Sequence, residues 1–197
     1  MAAKTPGLRP QWPEAILQKA AGIRLLALDV DGIMTDGKLY FTASGDEMKG
    51  FNILDGLGMK QVMAAGIELA VITGRRSPLT EKRMTDLSIS NLMQGREDKK
   101  VALQELANRL NIEPAAIAYM GDDLPDLPAI LYAGLGVTVP NGHWAVRESA
   151  DLCTGSAGGQ GSVRELCDLL LLAQGKLDTT LLPYQQEDQM QNQGSDQ

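Results

Sequence analysis

Two carboxylates follow one another at the end of an apolar run, in Leu25-Leu26-Ala27-Leu28-Asp29-Val30-Asp31-Gly32. A carboxylate is costly to bury without a partner, so a pair at the exit of a buried strand marks a site more often than a core. Asp-x-Asp by itself occurs in many solvated turns, and three further segments give it weight. Leu69-Ala70-Val71-Ile72 ends in Thr73-Gly74-Arg75, Lys99 opens a helical pattern, and Ile117-Ala118-Tyr119-Met120 runs into Gly121-Asp122-Asp123-Leu124-Pro125-Asp126. In an open parallel sheet, ligands bind outside the carboxyl ends of the strands, where Asp29, Thr73 and Asp122 would converge. Two carboxylates about 4 Å apart repel by roughly 4 kcal/mol at an effective dielectric of about 20. A divalent cation held by oxygen ligands would relieve that repulsion and admit an anionic substrate.

The order Asp-x-Asp, Thr, Lys, Gly-Asp-Asp-x-x-Asp resembles the haloacid dehalogenase superfamily of aspartyl-phosphate phosphatases. The resemblance implies that Asp29 is a nucleophile forming an acyl-phosphate, and that Asp31 protonates the leaving alcohol and later deprotonates water. Asp29, Asp122 and the backbone carbonyl of Asp31 would hold Mg²⁺. Thr73, Gly74 and Lys99 would meet the phosphoryl oxygens, with Lys99 preferred to Lys100 by its place in the motif order. Asp123 and Asp126 would orient the metal ligands or Lys99.

A longer set of residues narrows the resemblance. Asp29 to Gly37, Phe51-Asn52 with Asp55-Gly56, Ile72-Thr73-Gly74-Arg75, Gly121-Asp122-Asp123 and Gly158-Gly159-Gln160-Gly161-Ser162-Val163-Arg164-Glu165 are similar to the 3-deoxy-D-manno-octulosonate 8-phosphate phosphatase family, over about residues 15–177. That family implies a capless, Mg²⁺-dependent phosphatase of lipopolysaccharide precursor biosynthesis. It also implies a small sugar-acid phosphate as substrate and a homotetramer whose hairpins meet at its centre. Substrate contacts are then expected from Asp31, Asn52, Asp55, Gly56, Lys60, Gly74, Arg75, Arg83 and Lys99. The chain departs from the pattern at Leu54, where a basic residue is expected, and at Gln160, where arginine is common. Lys60, Arg75 and Arg83 are left to hold the sugar-acid carboxylate. Two alternatives stand beside this reading: a phosphatase for a nine-carbon sugar acid such as an N-acylneuraminate 9-phosphate, and a non-catalytic oligomerisation module on the same fold. A phospho-accepting signalling receiver would place its acceptor Asp at the end of the third strand, an order absent here.

The elements that must position these residues alternate between strand and helix, which predicts an α/β fold with a doubly wound, mostly parallel sheet. Helices are expected at Pro13 to Ala21, Gly56 to Ala65, Pro78 to Leu87, Val101 to Leu110, Leu124 to Tyr132 and Val163 to Ala173, with strands at Asn91 to Met93 and Leu135 to Val139. Lys38 to Phe41 and Glu47 to Asn52 flank Ala43-Ser44-Gly45-Asp46 and predict a small inserted β-hairpin. The stretch between Asp31 and the helix at Gly56 is too short for a cap domain. The expected organisation is a single domain over 1–177 and a polar tail over 178–197, in which Gly175 to about Tyr184 reach a neighbouring site and Gln185 to Gln197 stay disordered.

The composition, 44% apolar and 22% charged, is that of an ordinary globular protein. A net charge of -7 argues against a nucleic-acid partner. No apolar run approaches the ~20 residues that span a bilayer, and the start lacks the apolar core of a signal peptide, so no membrane partner and a cytoplasmic location are expected. Cys153 and Cys167 fit no metal-ligand spacing and read as small core residues. His143 lies in a Pro-Asn-Gly-His turn and gives little support to imidazole catalysis.

Overall fold

The computed structural model describes residues 10–191, and the side chains of residues 10–185. Six strands form one sheet: β1 (Leu25–Leu28), β4 (Glu68–Thr73), β5 (Asn91–Gln94), β6 (Ile117–Met120), β7 (Leu135–Thr138) and β8 (Leu152–Cys153). Their order is β5-β4-β1-β6-β7-β8, and every pairing is parallel. From β1 the chain builds outward to β4 and β5, then returns to β6 on the other side of β1. The order therefore reverses between β1 and β6, and a crevice opens at the carboxyl ends of those two strands.

Both sheet faces are covered, as the unbroken burial of β1 and β6 requires. On one face Leu26, Leu28, Val71 and Met120 pack against α1 (Glu14–Ala21), α2 (Ile53–Ala64), α3 (Pro78–Leu87) and α7 (Ser162–Ala173). On the other, Leu25, Ala27, Ile72 and Tyr119 pack against α4 (Lys99–Leu110), α5 (Leu127–Tyr132) and α6 (Trp144–Ser149). Local chemistry sets the helix ends. Asn52 accepts a hydrogen bond from the Leu54 N–H at the start of α2, Pro78 begins α3, and Asn111 closes α4 in the left-handed conformation at φ 53°.

Between β1 and α2 the chain inserts the antiparallel hairpin β2 (Tyr40–Phe41) and β3 (Glu47–Met48). Three features depart from expectation. Cys153 is exposed on the edge strand β8 rather than in the core, whereas Cys167 is buried. The segment from Leu124 opens as a short 3₁₀ turn, Leu124–Asp126, before α5 begins. The polar stretch after Gly175 forms α8 (Leu177–Gln191), because Leu177 and Leu181 pack on the core of their own chain. The expectation for residues 192–197 lies outside the described residues. No helix among the described residues is long and apolar enough to cross a membrane.

Candidate active site

The loop after β1 is a tight cradle. Asp29 extends the parallel ladder by donating its N–H to Met120 O at 3.0 Å, and the N–H groups of Met34 and Thr35 then turn back to Val30 O. The Thr35 hydroxyl accepts from Gly32 N at 3.4 Å and Gly37 N at 3.3 Å, which fixes the far side of the turn. Gly32 sits at φ +94°, and a Cβ there would lie 2.1 Å from an Asp122 carboxylate oxygen. Only glycine lets the carboxylate after β6 come this close to the loop after β1.

Lys99, the first residue of α4, is buried and reaches both sides of the crevice. Its Nζ lies 3.0 Å from Asp29 Oδ2 and 2.6 Å from Asp126 Oδ1. Burial works against the Lys99 charge, but Asp29 and Asp126 outweigh it and hold the ammonium above its ordinary pKa. Asp126 has little left to offer a ligand. Its Oδ1 also accepts from Tyr119 Oη at 2.7 Å, and its Oδ2 from the N–H groups of Asp122 and Asp123 at 3.3 and 3.2 Å. This aspartate is bonded to Lys99 and to the Asp122 backbone.

The residues fit a divalent cation. Asp29, Asp122 and Asp126 can each bring one oxygen to a common point, these atoms lying within 4.8 Å of one another. Asp126 is saturated by donors, whereas Asp29 Oδ1 and Asp122 Oδ1 are buried without any hydrogen-bond partner. Burial, reinforced by the Asp126 charge, raises both Asp29 and Asp122 to about 7. Two buried carboxylates with free oxygens and too little compensating positive charge are what a hard cation with oxygen ligands suits.

Asp29, Asp31, Thr73, Lys99 and Asp122 line one cavity of about 550 Å³, with Gly74, Arg75 and Asp123 at its edge. Asn52 instead lines a neighbouring cavity of about 490 Å³, beside Gln160 and Phe51. The other expected substrate contacts line neither cavity. Asp55 is buried beneath α7, where its Oδ1 accepts from Arg164 N at 2.8 Å and so anchors a helix start. Gly56 leaves room for Arg83, whose Nη2 would lie 2.4 Å from a Cβ there. Arg83 donates to Asn52 O at 3.3 Å and lies over the Phe51 ring. Lys60 is exposed on α2 and lines neither cavity. His143 acts as a cap, accepting from Ala145 N at the start of α6.

The hairpin brings residues that sequence reasoning passed over. Lys49, buried to 3% side-chain exposure, donates to Asp31 Oδ1. Glu47 accepts from Arg75 Nη2 at 2.9 Å, and Arg75 Nη1 stands 3.9 Å from Asp31 Oδ2. Glu47 and Lys49 flank exposed Met48 with a period of two, a signal of one charged face turned toward the crevice. Tyr119 was read simply as part of a strand, and its phenol is the buried donor to Asp126.

A parallel sheet with paired carboxylates at its switch point, and a buried lysine reaching them from a helix start, is the arrangement of the haloacid dehalogenase-like hydrolases. That family matches residues 83–166. The 3-deoxy-D-manno-octulosonate 8-phosphate phosphatase KdsC of Escherichia coli K12 is 48% identical over 163 residues, 83% of this chain and 87% of that protein. The corresponding phosphatase of Moraxella catarrhalis, crystallised with magnesium, phosphate and KDO, superposes with a TM-score of 0.85 at 45% identity, covering 86% of this chain and 98% of that one. The cobalt-bound deoxy-D-mannose-octulosonate 8-phosphate phosphatase of Haemophilus influenzae gives 0.80 at 36% identity over 84% and 99%. The chain belongs to the 3-deoxy-D-manno-octulosonate 8-phosphate phosphatase family of these hydrolases.

Proposed function

We propose that this protein hydrolyses 3-deoxy-D-manno-octulosonate 8-phosphate to the free sugar acid and phosphate through an aspartyl-phosphate on Asp29. The observation that carries the reading is the buried, unpartnered Oδ1 of Asp29, opening on the cavity shared with Thr73, Lys99 and Asp122. An Asp29 oxygen attacks phosphorus as the bond to the sugar oxygen breaks, and Asp31 gives that oxygen its proton. Asp31 then takes a proton from water, which attacks the same phosphorus and returns Asp29 as a carboxylate. Thr73, the Gly74 N–H and Lys99 stabilise the charge on the equatorial phosphoryl oxygens throughout. Mg²⁺, held by Asp29, Asp122 and the Asp31 main-chain carbonyl, would neutralise charge on the phosphoryl group and its surroundings.

Recognition of the sugar acid is assigned to Arg75, which lines the cavity and carries a guanidinium able to hold a carboxylate through two hydrogen bonds. Lys60 and Arg83 would need a neighbouring subunit's crevice to serve. The chain is proposed to act as a homotetramer in the cytoplasm, and the exposed apolar hairpin residues Tyr40, Phe41 and Met48 support an assembled state.

Phosphate release from eight- and nine-carbon sugar-acid phosphates, with and without Mg²⁺, tests the assignment. The eight-carbon substrate is expected to be preferred and EDTA to abolish turnover. Asp29→Asn is expected to lose at least roughly 10³-fold in kcat while the protein remains folded. Wild-type turnover by Asp29→Asn would refute the nucleophile, and a preference for the nine-carbon ester would refute the substrate.

A further inference from the structure

The Asp31 carboxylate faces a problem that Asp29 does not: it must present one oxygen to a leaving group while standing at the mouth of the crevice. Its side chain is 24% exposed, so packing alone does not set its orientation. Among the described residues its hydrogen-bonding partner is Lys49 Nζ, on Oδ1, while Arg75 Nη1 stands 3.9 Å from Oδ2, beyond hydrogen-bonding distance. The lysine is better fixed than the aspartate it holds. Its side chain is 3% exposed, and it follows directly on β3, whose Glu47 is tied at 2.9 Å to Arg75.

We infer that Lys49 is a positioning residue for proton transfer: it holds Asp31 Oδ1 so that Oδ2 faces the oxygen that leaves phosphorus. This rests on the reading of Asp31 as the proton donor. Lys49 lines the neighbouring cavity, whereas Asp31, Asp29, Thr73 and Lys99 line the phosphoryl cavity, so its effect on the reacting atoms passes through Asp31. A positioned proton matters most where the leaving group is a poor one. An alkyl phosphate expels an alkoxide that needs protonation as the bond breaks, whereas a nitrophenolate departs without help. The loss caused by freeing Asp31 should therefore depend on the leaving group, which a loss of folding or of phosphate affinity would not.

The experiment compares kcat/KM for glycerol phosphate and p-nitrophenyl phosphate, neither of which carries the sugar acid, in the full-length protein with Mg²⁺. Lys49→Met is expected to lose about tenfold more on glycerol phosphate than on the aryl ester, within the range that a general acid contributes. Lys49→Arg, which keeps a donor and a charge, is expected to recover most of that loss. In an Asp31→Asn background Lys49→Met should add nothing further, since two residues acting as one unit are not additive. Equal losses on both esters, or a further loss in the Asp31→Asn background, would overturn the proposal by making Lys49 a structural or substrate-binding residue. Asp31→Asn alone separates the two levels of the argument: if it shows no leaving-group bias, the proton-donor reading falls and the proposal with it. If Asp31→Asn is biased and Lys49→Met is not, the role of Lys49 alone is removed.

Discussion

Asp29 and Asp122 are carboxylates whose burial raises them to about 7, each retaining one oxygen without a hydrogen bond. A carboxyl whose folded pKa lies above its unfolded value binds protons more tightly in the native state. The metal-free protein therefore loses stability at these two groups as pH rises from about 4 to about 7. A cation that takes up both oxygens competes with those protons, so its affinity rises over the same window. Millimolar MgCl₂ is accordingly expected to raise the melting temperature more at pH 8 than at pH 5, and equal shifts at the two pH values would show that these carboxylates do not hold the ion. These acids were legible in the sequence because a charged residue at the end of an apolar run is costly without a purpose. Lys49 was not legible, since nothing local distinguishes it from a solvated hairpin lysine and its partner is fixed by how the hairpin folds back. The part Asp55 plays in the fold was hidden for the same reason: its partner, the Arg164 N–H, comes from a helix start distant in the chain.

At the scale of elements, the glycine-rich loop before α7 bears on the site through close approach. A Cβ at Gly158 would lie 1.7 Å from Gly32 O, backbone against backbone, and Gly158 N donates to Asn141 Oδ1 at 2.9 Å. Gly158→Ala must push the loop off the turn between Asp31 and Ile33. The expected result is a destabilisation of about 1–3 kcal/mol by urea denaturation, together with reduced kcat. Retention of both would mean that the two loops separate without consequence. Periodicity exposed the long helices and buried strands because each repeats its pattern over enough residues to be read. It did not expose α6 and β8, at six and two residues too short for any period, nor the helical form of α8, whose residues are mostly polar. Leu177 is 9% exposed, and Lys176 Nζ donates to Ala65 O at 2.7 Å and to Gln174 Oε1 at 2.9 Å. Truncation after Gly175 is therefore expected to cost about 2 kcal/mol or more from the leucine alone, read as a lower melting temperature. An unchanged melting temperature would return this segment to the status of a tail.

For the whole molecule, the hairpin poses a problem of stability. Two strands of two residues are marginal in water, and β2 and β3 leave Leu39 at 52%, Tyr40 at 41%, Phe41 at 61% and Met48 at 52% exposure. Tyr40 pairs with Met48 on one face of this ribbon, and the other carries Glu47 and Lys49, which engage Arg75 and Asp31 in the crevice. A contact between copies that buries the apolar face would hold the hairpin down, and with it the charged face that meets the site. Closed symmetric assembly supplies such a contact and satisfies the ribbon's open edges in the same step. Met48→Asp places a charge on the exposed apolar face, on the side turned away from Glu47 and Lys49. Light scattering is expected to report a smaller species for this variant, and kcat/KM on the sugar-acid phosphate is expected to fall although every residue of the crevice is retained. A full-sized assembly with unimpaired kinetics would mean that the hairpin keeps its place without a neighbour and that the apolar face serves no contact between copies.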